Sequence, residues 1–190
     1  MAINLKKGGR IDLSKEAPSL KKVALGLGWD TNDTDTGVNF DLDVSIFMLN
    51  VEGKMPEDGY FIFYNNINSP DGSVSHQGDN RTGEGDADDE TVFIELNKIN
   101  QNIEELIIVV TIDEAQTRGQ NFGQVENSFI RLYDIETNKE IAKYELDEDF
   151  SSETAVEFGR LYKKSGSWRF KAVGSGFTSG LQGFVDKFVG

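Results

Sequence analysis

Along this chain apolar residues alternate with polar or small ones far more often than they recur every third or fourth position. Val23, Leu25, Leu27 and Trp29 alternate with Ala24, Gly26 and Gly28, a period of two that predicts a strand within residues 19–30. Residues 31–39 are turn formers and predict a loop. Phe40, Leu42, Val44, Ile46 and Met48 fall on one face of the next strand; Asp41, Asp43 and Ser45 fall on the other, continued by Phe47 and Leu49. A short aromatic strand is expected at 60–64. Residues 65–90 have almost no apolar periodicity and predict a single loop region, far longer than an ordinary connection and so a place to look for function. Strands return at 91–96 and 106–112, with a helical turn allowed at 97–105 and a loop at 114–127. Two hairpins follow: 129–135 with 140–146 across 136–139, and 155–163 with 168–173 across 164–167. The period changes near the end, where Leu181, Phe184, Val185 and Phe188 recur at i, i+3, i+4 and i+7. They predict a short amphipathic helix on the sheet, weakened by Gly180 and Gly183. About eight to ten short strands and one helix predict an all-β fold, a two-sheet β-sandwich with a short C-terminal helix.

The length of 190 residues favours one domain over the whole chain. Thirteen Phe, five Tyr and two Trp supply a core despite a hydrophobic content of 37%. The 33 acidic and 19 basic residues give a net charge of -14, which argues against nucleic acid as a partner and in favour of cations. The charge is uneven: residues 1–22 carry +4 and residues 151–190 carry +3, so residues 23–150 carry -21. With no cysteine there are no disulfides, thiolate metal sites or cysteine nucleophiles, and one histidine excludes poly-histidine sites. No apolar run reaches the roughly 18–20 residues of a membrane span, and the Lys-rich start lacks the apolar stretch of a secretory signal. The expected location is the cytoplasm.

Most of the acidity gathers in two segments. Asp79, Glu84, Asp86, Asp88, Asp89 and Glu90, with Asn80, Thr82 and two glycines, fill residues 79–90. Hard oxygen donors in a glycine-bearing loop are what Ca²⁺ takes, and Mg²⁺ seldom uses such an all-protein cage. The spacing partly imitates an EF-hand loop begun at Asn80, but Thr91 stands where a bidentate Glu is needed and the flanks are strands. The second set is Asp30, Asp33 and Asp35, then Asp41 and Asp43 on one strand face. Should the two sets converge, each like pair about 5 Å apart costs roughly 3 kcal/mol at an effective dielectric of 20, so a cation is needed. Zinc and copper are disfavoured by the lack of His and Cys.

The other candidates carry less. His76 reads as a packing or surface residue. No nucleophile-elbow signature supports a Ser–His–Asp triad. Gly-rich residues 173–183 lack the G-K-[ST] of a phosphate loop and read as a loop before the last helix. Carboxylate pairs for glycosidic chemistry have no visible apolar pocket to raise one pKa. No catalytic residue is assigned, and the chain is read as a non-enzyme.

The run Gly78-Asp-Asn-Arg-Thr-Gly-Glu-Gly-Asp-Ala-Asp-Asp-Glu90 resembles the signature of the TerD family of tellurium-resistance and stress-response proteins. Leu25-Gly-Leu-Gly-Trp-Asp30, Phe40-Asp-Leu-Asp-Val-Ser45, residues 118–131, Glu157-Phe-Gly-Arg-Leu-Tyr162 and Trp168-Arg-Phe170 resemble other blocks of that family, so the likeness spans nearly the whole chain. It implies a β-sandwich binding about two Ca²⁺ ions between loops at one end. The family's acidic positions correspond to Asp30, Asp41, Asp43, Asp79, Asn80, Glu84, Asp86, Asp88, Asp89 and Glu90, without saying which touch metal. Ala87 departs from the family's usual glycine. The expected role is a Ca²⁺-binding scaffold or sensor that docks other Ter-family proteins, in a complex compatible with the inner membrane face. The competing readings are a metal-dependent phosphoester hydrolase and Ca²⁺ as a purely structural clamp.

Overall fold

A computed structural model of the protein describes residues 2–30, 37–78 and 88–190. Asp33, Asp35, Asp79, Asn80, Glu84, Asp86 and Ala87 lie outside the described residues. The described chain forms two six-stranded sheets. The first runs β1 (Ile3–Leu5), β10 (Lys139–Glu145), β9 (Phe129–Asp134), β3 (Lys22–Gly28), β7 (Glu90–Glu95), β6 (Val74–His76). The second runs β2 (Arg10–Asp12), β12 (Ser167–Phe177), β11 (Ala155–Lys164), β8 (Ile103–Ile112), β4 (Leu42–Asn50), β5 (Phe61–Ile62). Among these pairs only β1 with β10 is parallel. Two short helices lie between strands, α1 (Leu13–Glu16) and α2 (Ala115–Arg118), and α3 (Gly180–Phe188) follows the last strand.

The sheets differ in how they meet water. In the first, β7 and β9 alternate between buried and half-buried residues, as in a sheet with one wet face. In the second, β4, the second half of β8 and the first half of β11 are buried on both faces. The reason is α3, whose Phe184 and Phe188 lie 6.2 and 5.1 Å from the Phe47 ring, which also stacks on Phe61 at 4.5 Å. Thus Phe47, on the strand face it shares with Asp43 and Ser45, is apolar because a helix covers it.

The sandwich and its C-terminal helix match the expectation from the pattern. Four local expectations are corrected. Residues 65–90 are not one loop, because Val74–His76 pairs with β7. Residues 97–105 hold turns and the start of β8 rather than a helical turn, since Ile103 pairs with Asn50. The loop at 114–127 contains α2 and a 3₁₀ turn, Phe122–Gln124. The Gly-rich 173–183 stretch is mostly regular, with β12 reaching Phe177 and α3 starting at Gly180.

The antiparallel registers place the ends of β3, β6, β8, β10 and β12 with the starts of β4, β7, β9 and β11 at one end of the sandwich. Asp30, which follows β3, Asp41, which precedes β4, and Asp88 and Asp89, which precede β7, lie at that end.

Candidate metal centre

β3 carries Val23, Leu25 and Leu27 inward, leaving Gly26 and Gly28 on the wet face of the first sheet. Gly26 stands opposite Arg131 of β9 on one side and Thr91 of β7 on the other. Just before β7 the chain folds Asp88 back over Gly26, so closely that a Cβ there would lie 2.2 Å from the Asp88 carboxyl carbon. Glycine is required at 26 for that approach. Arg131 then donates twice to Asp88, from Nε to Oδ1 at 2.7 Å and from Nη2 to Oδ2 at 3.0 Å. The guanidinium stands 4.7 Å over the Tyr133 ring and 3.4 Å from Glu140. Its hydrogen bonds to Asp88 hold the Arg131 pKa above its ordinary value.

Asp89 continues the ladder, its N–H donating to the Leu27 carbonyl at 2.8 Å. Its Oδ2 accepts from the Trp29 N–H at 3.1 Å. Burial raises the Asp89 pKa above 3.8, and the charges of Asp88 and Asp30 add to the rise against the Trp29 hydrogen bond. Asp30 itself is exposed; its N–H donates to Glu126 O, and Asn127 Nδ2 donates to its Oδ2. Asn127 has φ +53°, a conformation that Asn tolerates better than most residues.

Glu90 points the other way. Period two turns it inward with Val92 and Ile94, and it is 1% exposed. Its Oε2 accepts from Val44 N–H of the facing sheet at 2.6 Å and lies 3.7 Å from His76 Nε2. His76 is buried, and its Nδ1 accepts from Gly78 N–H at 3.2 Å. Of the two expectations for His76, packing or surface, the structure shows packing, beside an acid in the core.

Asp41 and Asp43 enter from β4. Asp41 is buried and its carbonyl accepts from Asp113 N–H at 2.8 Å. Asp43 faces Thr111 across the ladder and lines a cavity on the outer side of the second sheet, whose lining includes neither Asp30 nor Asp88–Glu90. The structure therefore brings Asp30, Asp88 and Asp89 together, sends Glu90 into the core, and sets Asp43 in a separate recess. Among the described residues no three acidic or imidazole side chains form a group able to hold a metal ion. The donors present are carboxylate oxygens, which suit a hard divalent ion; residues 79–87 would have to complete any shell.

Arg131, Gly26, Glu126 and Asn127 were not singled out by the acidic pattern, although Arg131, Glu126 and Asn127 fall in the 118–131 block. The signal for Arg131 was a basic residue at alternating phase in an otherwise apolar strand, which becomes meaningful only with the register that sets it beside Gly26.

The TerD domain family matches residues 1–188. The tellurium resistance protein TerD of Serratia marcescens is 54% identical over 181 residues, 95% of this chain and 94% of that protein. General stress protein 16U of Bacillus subtilis (strain 168) is 50% identical over the same shares, and stress response protein SCP2 of that organism is 37% identical over the full length of both. The crystal structure of a homologue of telluride resistance protein (TerD) from Streptomyces coelicolor A3(2) superposes with a TM-score of 0.68 at 22% identity, covering 87% of this chain and 95% of that one, which establishes likeness of fold. These names refer to resistance and stress response, none to an enzymatic activity. No described helix is long and apolar enough to cross a membrane.

Proposed function

Because the chain belongs to the TerD family of tellurium-resistance and stress-response proteins, we propose that it is a Ca²⁺-binding scaffold or sensor, docking partner proteins through the loaded acidic end. The observation that carries this reading is the gathering of Asp30, Asp88 and Asp89, where burial and two neighbouring charges lift the Asp89 pKa. Burial and neighbouring like charge both disfavour the ionised Asp89 carboxylate, and a bound cation would offset both. Asp30 and Asp89, with Asp79, Asn80, Glu84 and Asp86, would supply the oxygens. Asp88, both of whose oxygens accept from Arg131, would anchor the loop. A bound ion would supply positive charge where the apo end is negative, so that acidic partners are repelled without it and admitted with it. The expected partners are other Ter-family proteins, and a complex at the inner membrane face fits the same charge inversion.

Calorimetric titration with Ca²⁺ tests the site. Saturation near about two ions per chain, weakened in Asp89→Asn and not matched by Mg²⁺, is expected. No heat and no rise in melting temperature would remove the site, while partner capture that is equal with Ca²⁺ and with chelator would remove the docking role alone. A clamp role is the second reading. It is favoured by Glu90, whose bond to Val44 N–H already ties one sheet to the other beside the acidic loop. Stabilisation by Ca²⁺ without any change in partner binding would select it.

A further inference from the structure

A cavity of about 320 Å³ opens between the ends of β2, β7 and β11 and the starts of β3 and β12, at the end of the sandwich opposite the acidic one. The sequence builds it by carrying the chain from one sheet to the other. β2 belongs to the second sheet and β3 to the first, and α1 with residues 17–21 bridges the gap. Asp12 caps α1 by accepting from Ser14 N–H at 3.1 Å, and Pro18 keeps the helix from continuing. Leu20 N–H then donates to Ala17 O at 3.0 Å, and Leu96 N–H donates to Lys21 O at 2.9 Å, which ties the bridge to the end of β7. On the other side Ser165 and Gly166, at φ +53° and +77°, form the two-residue turn that brings Trp168 to the mouth. Leu13 is 1% exposed, and Ala17, Leu20, Leu96 and Trp168 are partly buried against the core, so the wall is largely apolar.

The rim is basic, in a chain whose net charge is -14. Lys21 lines the cavity and is exposed, and Lys15 and Lys164 flank the lining residues Ser14 and Gly166. Among the described residues none of these three lysines has an ion pair. Their neighbours are paired: Lys22 and Lys98 share Glu95 at 3.7 and 3.0 Å, Lys163 has Glu104 at 3.8 Å, and Arg169 has Asp12 at 3.1 Å. Glu16, exposed on α1, is the acid left over, so positive charge remains in excess after every pair is discounted. We propose that this cavity binds a small aromatic carboxylate, its ring against Trp168 and the apolar wall and its anionic group at Lys21. A volume at the lower end of the range for ligand pockets, roughly 300 Å³ upward, suits one ring rather than a long acyl chain. An inorganic anion would leave the apolar wall wet, and a neutral ring would leave the excess lysine charge unanswered. The lining includes none of Asp30, Asp88, Asp89 and Glu90, so failure of Ca²⁺ binding leaves this inference standing.

Nuclear magnetic resonance titration of the full chain with 3-phenylpropanoate, at about 150 mM salt to screen loose counterions, tests it. Saturable shifts confined to residues 13–21, 96–97 and 166–168, the Trp168 indole N–H included, are expected. The uncharged 3-phenylpropanamide should bind about threefold to fivefold more weakly, the range of a solvent-exposed charge pair. Lys21→Gln should weaken the carboxylate by the same factor and remove most of its preference over the amide. Lys139→Gln, exposed at the same end but outside the lining, should change neither. Ala17→Leu, which fills the cavity, should weaken both ligands about tenfold, and the exposed Lys21→Gln keeps the test decisive if a lining variant fails to fold. Shifts that do not saturate, equal affinity for carboxylate and amide, or equal losses in Lys21→Gln and Lys139→Gln would overturn the proposal.

Discussion

Gly26 and Arg131 sit at the same level on neighbouring strands, and together they determine where Asp88 lies. The Asp88 side chain is 5% exposed and that of Arg131 29%, so the pair is partly screened and its loss should cost less than that of a fully buried pair. Arg131→Met is expected to destabilise the protein by about 1–3 kcal/mol, read as a lowered midpoint in urea, and to weaken Ca²⁺ binding by freeing the loop. Gly26→Ala should do the same by a different route, pushing Asp88 off the sheet while leaving the guanidinium intact. If Arg131→Met changes stability but leaves Ca²⁺ affinity untouched, Asp88 does not position the loop. The acids of this site were legible in the sequence as a run, because oxygen donors with glycines form a local pattern. Its supports were not, since Gly26, Asp88 and Arg131 are distant in sequence and meet only through strand register.

At the scale of elements, the polar stretch before β6 forms an ordered turn. Asp71 Oδ1 accepts from Ser69 Oγ at 2.6 Å, Ser73 Oγ at 2.6 Å and Ser73 N–H at 2.9 Å, while Oδ2 accepts from Asn100 N–H at 2.8 Å. Burial pushes the Asp71 carboxyl up, but these donors outweigh it and hold its pKa below 3.8. A depressed carboxyl pKa stabilises the fold above the unfolded value and ceases to do so as pH falls through the folded one. Asp71→Ala should therefore destabilise at neutral pH by about 1–3 kcal/mol, with the gap to wild type narrowing below pH 3.8. Thermal melts across that range check it; a gap independent of pH would mean that packing, not charge, holds the turn. The hydrophobic pattern could not reveal β6, whose three residues include Ser75 and His76. It did reveal α3, since Phe184 and Phe188 keep helical spacing, and Phe184→Ala should cost about 3–5 kcal/mol through the cavity opened against Phe47 and Phe177. A cost under 1 kcal/mol in chemical denaturation would mean that the helix is a loose cover.

For the whole molecule, the sandwich converts a charge imbalance along the chain into one along its length. Asp30, Asp89, Asp113 and Glu126 lie by the strand ends at the acidic end, while at the opposite strand ends Lys22 stands across from Glu95 and Lys139 across from Asp134. Repulsion concentrated at one end should make the metal-free protein sensitive to ionic strength. Its melting temperature is expected to rise as NaCl goes from about 10 to 300 mM, and to rise less once Ca²⁺ is added. Equal salt responses with and without Ca²⁺ would show that the ion does not relieve this repulsion.

The first strands place one further demand on the molecule. β1 joins the first sheet beside residues 142–144, and β2 joins the second beside residues 169–171, so one short segment closes the same edge of both sheets. On the ribosome this segment is made long before either partner. It must wait, unpaired, until the last third of the chain has emerged, so closure is a late event of synthesis and the early chain is exposed to wrong pairings. A ribosome stalled before β12 should thus hold a chain that proteases still cut near its beginning, and release of the full length should protect that point.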